Sequence, residues 1–148
     1  SEEWLKEIKI FEELIKKITE LSNKKSYTVI SADHGLTNIP KENRFHIDYI
    51  EDINVYGDQR SVYINGSRKE IIKVFSKIPG KLIDRSELNN LLPAPKSEFI
   101  ESLYPDFCFL VEDKNIIYPH HLKTELAGYH GGLSTEEIKI PIIEISNF

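Results

Sequence analysis

Cysteine is nearly absent: Cys108 is the only one in the 148 residues, so an internal disulfide and a thiolate metal cluster are both excluded. It sits in the apolar run Phe107-Cys-Phe-Leu-Val111, where a buried, chemically idle thiol is expected. An excess of positive charge is also lacking. With 19 basic and 24 acidic residues the formal charge is -5, which removes any general attraction to nucleic acid or to an anionic membrane. No apolar run approaches the roughly 20 residues that span a bilayer, and the first residues are acidic and amphipathic rather than basic and then hydrophobic. A soluble, cytoplasmic chain is therefore expected. Internal repeats and low-complexity tracts are missing too, and the length suits one domain over residues 1–148.

Periodicity supplies the elements. Trp4, Leu5, Ile8, Phe11, Leu14, Ile15 and Ile18 recur at three- and four-residue steps, which predicts a helix over Glu2 to Leu21 with one apolar stripe. Such a stripe expects something to pack against. Asn23-Lys-Lys-Ser26 then turns the chain into a buried strand, Tyr27 to Ser31, a helix-to-strand step of the kind that builds parallel α/β sheets. Leu36 to Asp52 reads as a long polar loop broken by Pro40. Strands follow at Ile53 to Tyr56 and Ser61 to Ile64, with a turn at Gly57-Asp58-Gln59, and a helix at Ser67 to Phe75 with Ser67 as N-cap. Ser86 to Leu92 is read as a short capped helix, and Phe107–Val111 with Ile116–Tyr118 as a hairpin. Ser134-Thr-Glu-Glu137 reads as one helical turn with a capping box, and Ile140 to Ile145 as a closing strand.

Two places carry chemistry. The strand at Tyr27 runs into Asp33-His34-Gly35, and side chains released at a strand's carboxyl end turn toward a common point where ligands gather in open α/β sheets. A carboxylate beside a neutral imidazole suits borderline divalent metals such as zinc. Far downstream, Gly128-Tyr-His130-Gly131-Gly132-Leu-Ser134-Thr-Glu136-Glu137 sets a second histidine among glycines that permit close backbone approach.

Together, Ser-Ala-Asp-His-Gly at 31–35 and His-Gly-Gly-Leu-Ser-Thr-Glu-Glu at 130–137, followed by Pro141-Ile-Ile, resemble the carboxy-terminal half of the alkaline phosphatase superfamily, in its type I phosphodiesterase/nucleotide pyrophosphatase branch. Gly57-Asp-Gln-Arg60-Ser-Val-Tyr63, Leu82-Ile-Asp-Arg85-Ser-Glu87 and Tyr104-Pro-Asp106-Phe-Cys-Phe-Leu110 fall between them in the order that branch uses, so the resemblance covers nearly the whole chain. It implies an α/β fold, the carboxy-terminal portion of an alkaline-phosphatase-like sheet flanked by helices. It also implies two divalent ions, usually zinc, that activate a threonine or serine for attack on phosphorus in a phosphate ester or nucleotide. Carried over by motif, Asp33 and His34 ligate one ion and His130 the other.

The resemblance also shows what to look for elsewhere. The family's nucleophile, an aspartate near it, and a further aspartate and histidine precede the helix that opens this chain. Catalytic zinc commonly takes about three protein ligands, so two ions ask for about six, and the matched motifs offer half of these. The chain therefore reads as part of a hydrolase whose amino-terminal half is its natural partner, inactive alone and prone to self-association through apolar edges. A rival of another class is a degenerate relative that binds a protein or nucleotide without turnover. An upstream strand ending in an aspartate and then a threonine or serine separates the two. The remaining candidates have plainer readings: His120 and His121 as a polar loop after a strand, His46 as an exposed loop histidine, Glu136 and Glu137 as acidic first-turn residues. Arg60 is within the range of phosphate ligands, and its ordinary reading is a strand arginine on a solvated face.

Overall fold

A computed structural model describes residues 2–21, 26–122 and 126–147. In chain order the elements are α1 (Glu2–Leu21), β1 (Ser26–Ser31), β2 (Thr37–Asn38), a 3₁₀ turn at Lys41–Asn43, β3 (Arg44–Ile47), β4 (Ile53–Gly57), β5 (Ser61–Gly66) and α2 (Arg68–Phe75). There follow β6 (Gly80–Asp84), α3 (Arg85–Leu91), α4 (Glu98–Ser102), β7 (Phe107–Val111), β8 (Ile116–Pro119), β9 (Gly128–Tyr129), α5 (Thr135–Ile138) and β10 (Ile142–Asn147). The mixture of small sheets and helices is the α/β class expected. Of the turn read at Asn23 to Ser26, residues 23–25 lie outside the described set. No described helix is long and apolar enough to cross a membrane.

The chain gathers into two units, Ser1–Asp33 with Ile140–Phe148, and His34–Lys139. In the first, α1 has the predicted bounds, and none of its side chains is buried. Phe11, Leu14, Ile15 and Ile18 line a hollow of about 340 Å³ with Thr28 to Ser31 and Ile145. β1 pairs antiparallel with β10, Val29 opposite Glu144 and Ile30 opposite Ile143. The strand read as buried is thus only half so. Tyr27, Val29 and Ser31 alternate outward, and among the described residues this sheet has two strands.

The second unit is built on a four-stranded antiparallel sheet in the order β4-β5-β7-β6. Period-2 alternation directs Val62 and Ile64 inward on β5, where they meet Ile71 and Phe75 of α2 and Phe107, Phe109 and Val111 of β7. Phe75 and Phe109 pack ring to ring with centroids 5.0 Å apart. β7 is covered on both faces: Cys108 points the other way, onto Ile83 and Leu88. A strand buried on both sides reads as a continuous apolar run, and burial pushes the Cys108 thiol up to about 11.

Several expectations require correction. β7 and β8 do not form a hairpin; β8 pairs in parallel with β3, from Arg44 opposite Ile116 to Ile47 opposite Pro119. Every residue of β8 is buried, and its edge is paired by β3, which lies within the stretch read as a polar loop. Strand β6 and helix α4 were not anticipated. α3 begins one residue earlier than read, because its cap is Asp84, whose carboxylate accepts from Glu87 N–H at 3.0 Å while Glu87 accepts from Asp84 N–H at 3.3 Å. The closing strand starts at Ile142, after Pro141.

Candidate metal centre

His34 and Gly35 open the second unit. The Gly35 N–H donates to the Glu137 carbonyl at 2.8 Å, and a Cβ on residue 35 would lie 1.7 Å from the Glu136 carbonyl oxygen. Only glycine lets these two backbones meet. Two residues further on, β2 pairs with β9, placing Thr37 opposite Tyr129. That short ladder brings together residues 96 apart in the chain (130 minus 34). The rings of His34 and His130 stack with centroids 3.8 Å apart and planes inclined by 23°.

The His34 Nδ1 lies 2.9 Å from the Gly35 carbonyl oxygen. A carbonyl can only accept, so Nδ1 is the donor in this contact. His130 Nδ1 lies 3.6 Å from Asp58 Oδ2. Asp58 is in the tight connection between β4 and β5, and Gly131, at φ +95°, turns its bare α-carbon toward that carboxylate.

The loop that follows His130 is tied to a buried ion pair. Arg60 and Glu137 are 1% and 3% exposed, and the guanidinium donates twice to the carboxylate, Nε to Oε1 and Nη2 to Oε2, each at 2.7 Å. Its Nη1 donates to the Asp113 and Asn115 carbonyls at 2.7 and 2.6 Å. Glu137 also accepts from Gly132 N–H at 2.9 Å and from Ser134 N–H at 3.3 Å. Burial alone would raise the Glu137 carboxyl, but Arg60 and the N–H donors outweigh it and hold it at about 2. A Cβ on residue 132 would fall 2.5 Å from Arg60 Nη2, so the second glycine of the His-Gly-Gly motif is there to admit the arginine. The Ser61 hydroxyl donates to the Gly131 carbonyl, fixing the same loop from β5.

Arg60 thus corrects its sequence reading: it is buried, and its donors are taken up by the protein, while Glu137 keeps its first-turn place in α5 and is buried as well. They and Asp58 were missed as a group. The available signal was the glycines at 35, 131 and 132, which mark backbone approach without naming what approaches. The other histidines stay apart from the pair. His46 stacks on Tyr118 at 5.2 Å. His120 and His121 are exposed after β8 and border a hollow of about 430 Å³ with Tyr49 and Tyr56. Asp33 is the last residue of the first unit. Among the described residues, no group of three or more histidine, cysteine, aspartate or glutamate side chains is arranged to hold a metal ion.

No protein-family profile and no curated protein matches the sequence. Solved structures do. Human ectonucleotide pyrophosphatase/phosphodiesterase 5 superposes with a TM-score of 0.62 at 13% identity, over 88% of this chain and 37% of that one. The murine protein gives 0.59 at 14% identity, over 88% and 36%. The fold is that of part of an ectonucleotide pyrophosphatase/phosphodiesterase. This agrees with the family to which the two motifs pointed. The likeness is one of fold, and the chain spans little more than a third of those proteins' length.

Proposed function

We propose that this chain is the carboxy-terminal part of a two-metal phosphodiesterase, nucleotide pyrophosphatase or phosphatase, contributing His34 to one ion, His130 to the other, and Asp33 beside His34. The stacked imidazole pair carries this reading. Imidazole binds a metal through a lone pair in the ring plane, at about 2.0 to 2.1 Å for zinc. Two near-parallel rings 3.8 Å apart cannot aim such lone pairs at one ion. They suit two neighbouring ions, and two-metal sites place these roughly 3.5 to 4 Å apart. His34 has its second nitrogen tied to a carbonyl, the usual arrangement around a metal-bound imidazole. Asp33 enters through its motif.

When bound, the ions would lower the pKa of an attacking hydroxyl and take up charge on the phosphoryl oxygens of a phosphate ester or nucleotide. What these residues supply is two held rings. The Arg60–Glu137 pair fixes the loop that carries His130, and Gly35 fixes His34 to the same helical turn. The nucleophile and the other ligands belong, in this reading, to the amino-terminal half of the same enzyme. The exposed apolar stripe of α1 supports docking of that half, or self-association without it.

The test is hydrolysis of nitrophenyl phosphate mono- and diesters in excess zinc or manganese. The chain alone should give background rates, and addition of the amino-terminal half should give turnover lost in His130→Ala and Asp33→Ala. Turnover by these residues alone that Asp33→Ala abolishes would overturn the half-site assignment. A complemented protein that binds nucleotide but never turns over would favour the binding-module alternative.

A further inference from the structure

We infer that Asp58 is a positioning residue for His130: its carboxylate holds the proton of that ring on Nδ1 and so presents Nε2 as the metal-binding nitrogen. This rests on the two-ion reading and adds to it a residue that the motif comparison left in a turn. The two nitrogens of an imidazole are distinct, and the partner of one decides what the other can do. His34 has a carbonyl in that role. His130 has the Asp58 carboxylate, 3.6 Å from its Nδ1. The side chains are 41% and 40% exposed, and the separation is that of a charge contact which a shift of a few tenths of an ångström turns into a hydrogen bond.

The backbone is shaped around this contact. β4 ends at Gly57, at φ +87°, and β5 begins at Ser61, so Asp58 stands at a tight hairpin tip. That tip is docked on the histidine loop by two further bonds, Ser61 to the Gly131 carbonyl and Arg60 to Glu137. Gly131 adopts φ +95°, and a Cβ there would lie 3.0 Å from the Asp58 Cγ. Any other residue at 131 would displace the carboxylate from the ring. A negative charge beside the ring also offsets the positive charge that an ion would bring to Nε2. Removing such an outer carboxylate typically weakens metal binding by about 10- to 100-fold.

The experiment uses the 148-residue chain with ¹⁵N-labelled histidine, read by long-range proton–nitrogen spectra at pH 8, first without metal and then titrated with zinc. His130 should show the Nδ1–H form before any metal is added. Asp58→Ala should move it toward the Nε2–H form and raise the zinc concentration that shifts its ring about 10- to 100-fold. Asp58→Asn, whose amide oxygen still accepts a hydrogen bond, should keep the Nδ1–H form with a smaller loss. An unchanged tautomer and zinc response in Asp58→Ala, with the response lost in His130→Ala, would overturn the role of Asp58 and leave the two-ion reading standing. Absence of a zinc response at both His34 and His130 in the unaltered chain would overturn that reading and this inference with it.

Discussion

Glu137 shows how a single side chain can tie two motifs together. Its backbone carbonyl holds Gly35 and its carboxylate holds Gly132 and Arg60. Breaking a buried ion pair from one side strands the other charge, which costs roughly 3 to 5 kcal/mol. Glu137→Gln should therefore lower the unfolding free energy measured by urea titration at pH 7 by an amount in that range. The pH dependence has a definite sign. The folded carboxyl sits at about 2 against an ordinary 4.5, so its stabilisation is complete above pH 4.5 and is lost as pH falls toward 2. Urea curves across that window should converge for the parent and Glu137→Gln, and a parallel offset down to pH 2 would contradict the assignment. None of this pairing was visible beforehand. Arg60 and Glu137 are 77 residues apart, and nothing local marks either as buried; the Ser134-Thr-Glu-Glu137 turn displayed only its helix-starting role. The histidines were legible because a motif joins residue types with fixed chemistry, whereas a buried pair shows itself only in the fold.

At the scale of elements, local rules found what local forces decide. α1 has the bounds its period predicted, α2 starts at its predicted N-cap, and α5 is the expected turn. Pairings made over distance were less legible. β8 pairs with β3 and not with β7, a partner about 70 residues away (116 minus 44) that no local pattern reveals. Glycines mark the places where elements touch, and Gly35 gives the sharpest test. Gly35→Ala puts a Cβ 1.7 Å from the Glu136 carbonyl oxygen, so the loop must move and the Gly35–Glu137 bond must break. The stacked rings should then separate. Ring-proton shifts of His34 and His130 should move toward free-imidazole values in Gly35→Ala. Gly128→Ala, whose added Cβ meets only Leu36 side-chain atoms at 3.8 Å, should leave them in place. Stacking retained in Gly35→Ala would show that the close approach does not position the rings.

For the whole molecule the question is what the apolar surface and the proposed ligand set have in common. Trp4 is 67% and Leu21 85% exposed, and in its own unit β1 has only β10 as neighbour among the described residues. A two-stranded ribbon is marginal in water without a further layer. Coordination runs parallel to this, because metal affinity depends on how many ligands are supplied and how firmly the fold holds them. On the proposed reading, two imidazoles serving different ions, with Asp33 beside one of them, would leave each ion to complete its shell with water. Zinc should accordingly bind this chain weakly. Adding the amino-terminal half should tighten binding by orders of magnitude, as it would bring the remaining carboxylates and imidazole and cover the α1 stripe in one step. Titration calorimetry on the chain with and without that half is the direct measurement. Tight zinc binding by these residues alone, unchanged in Asp33→Ala and His130→Ala, would place the ligands elsewhere, and the exposed His120 and His121 would be the first residues to replace.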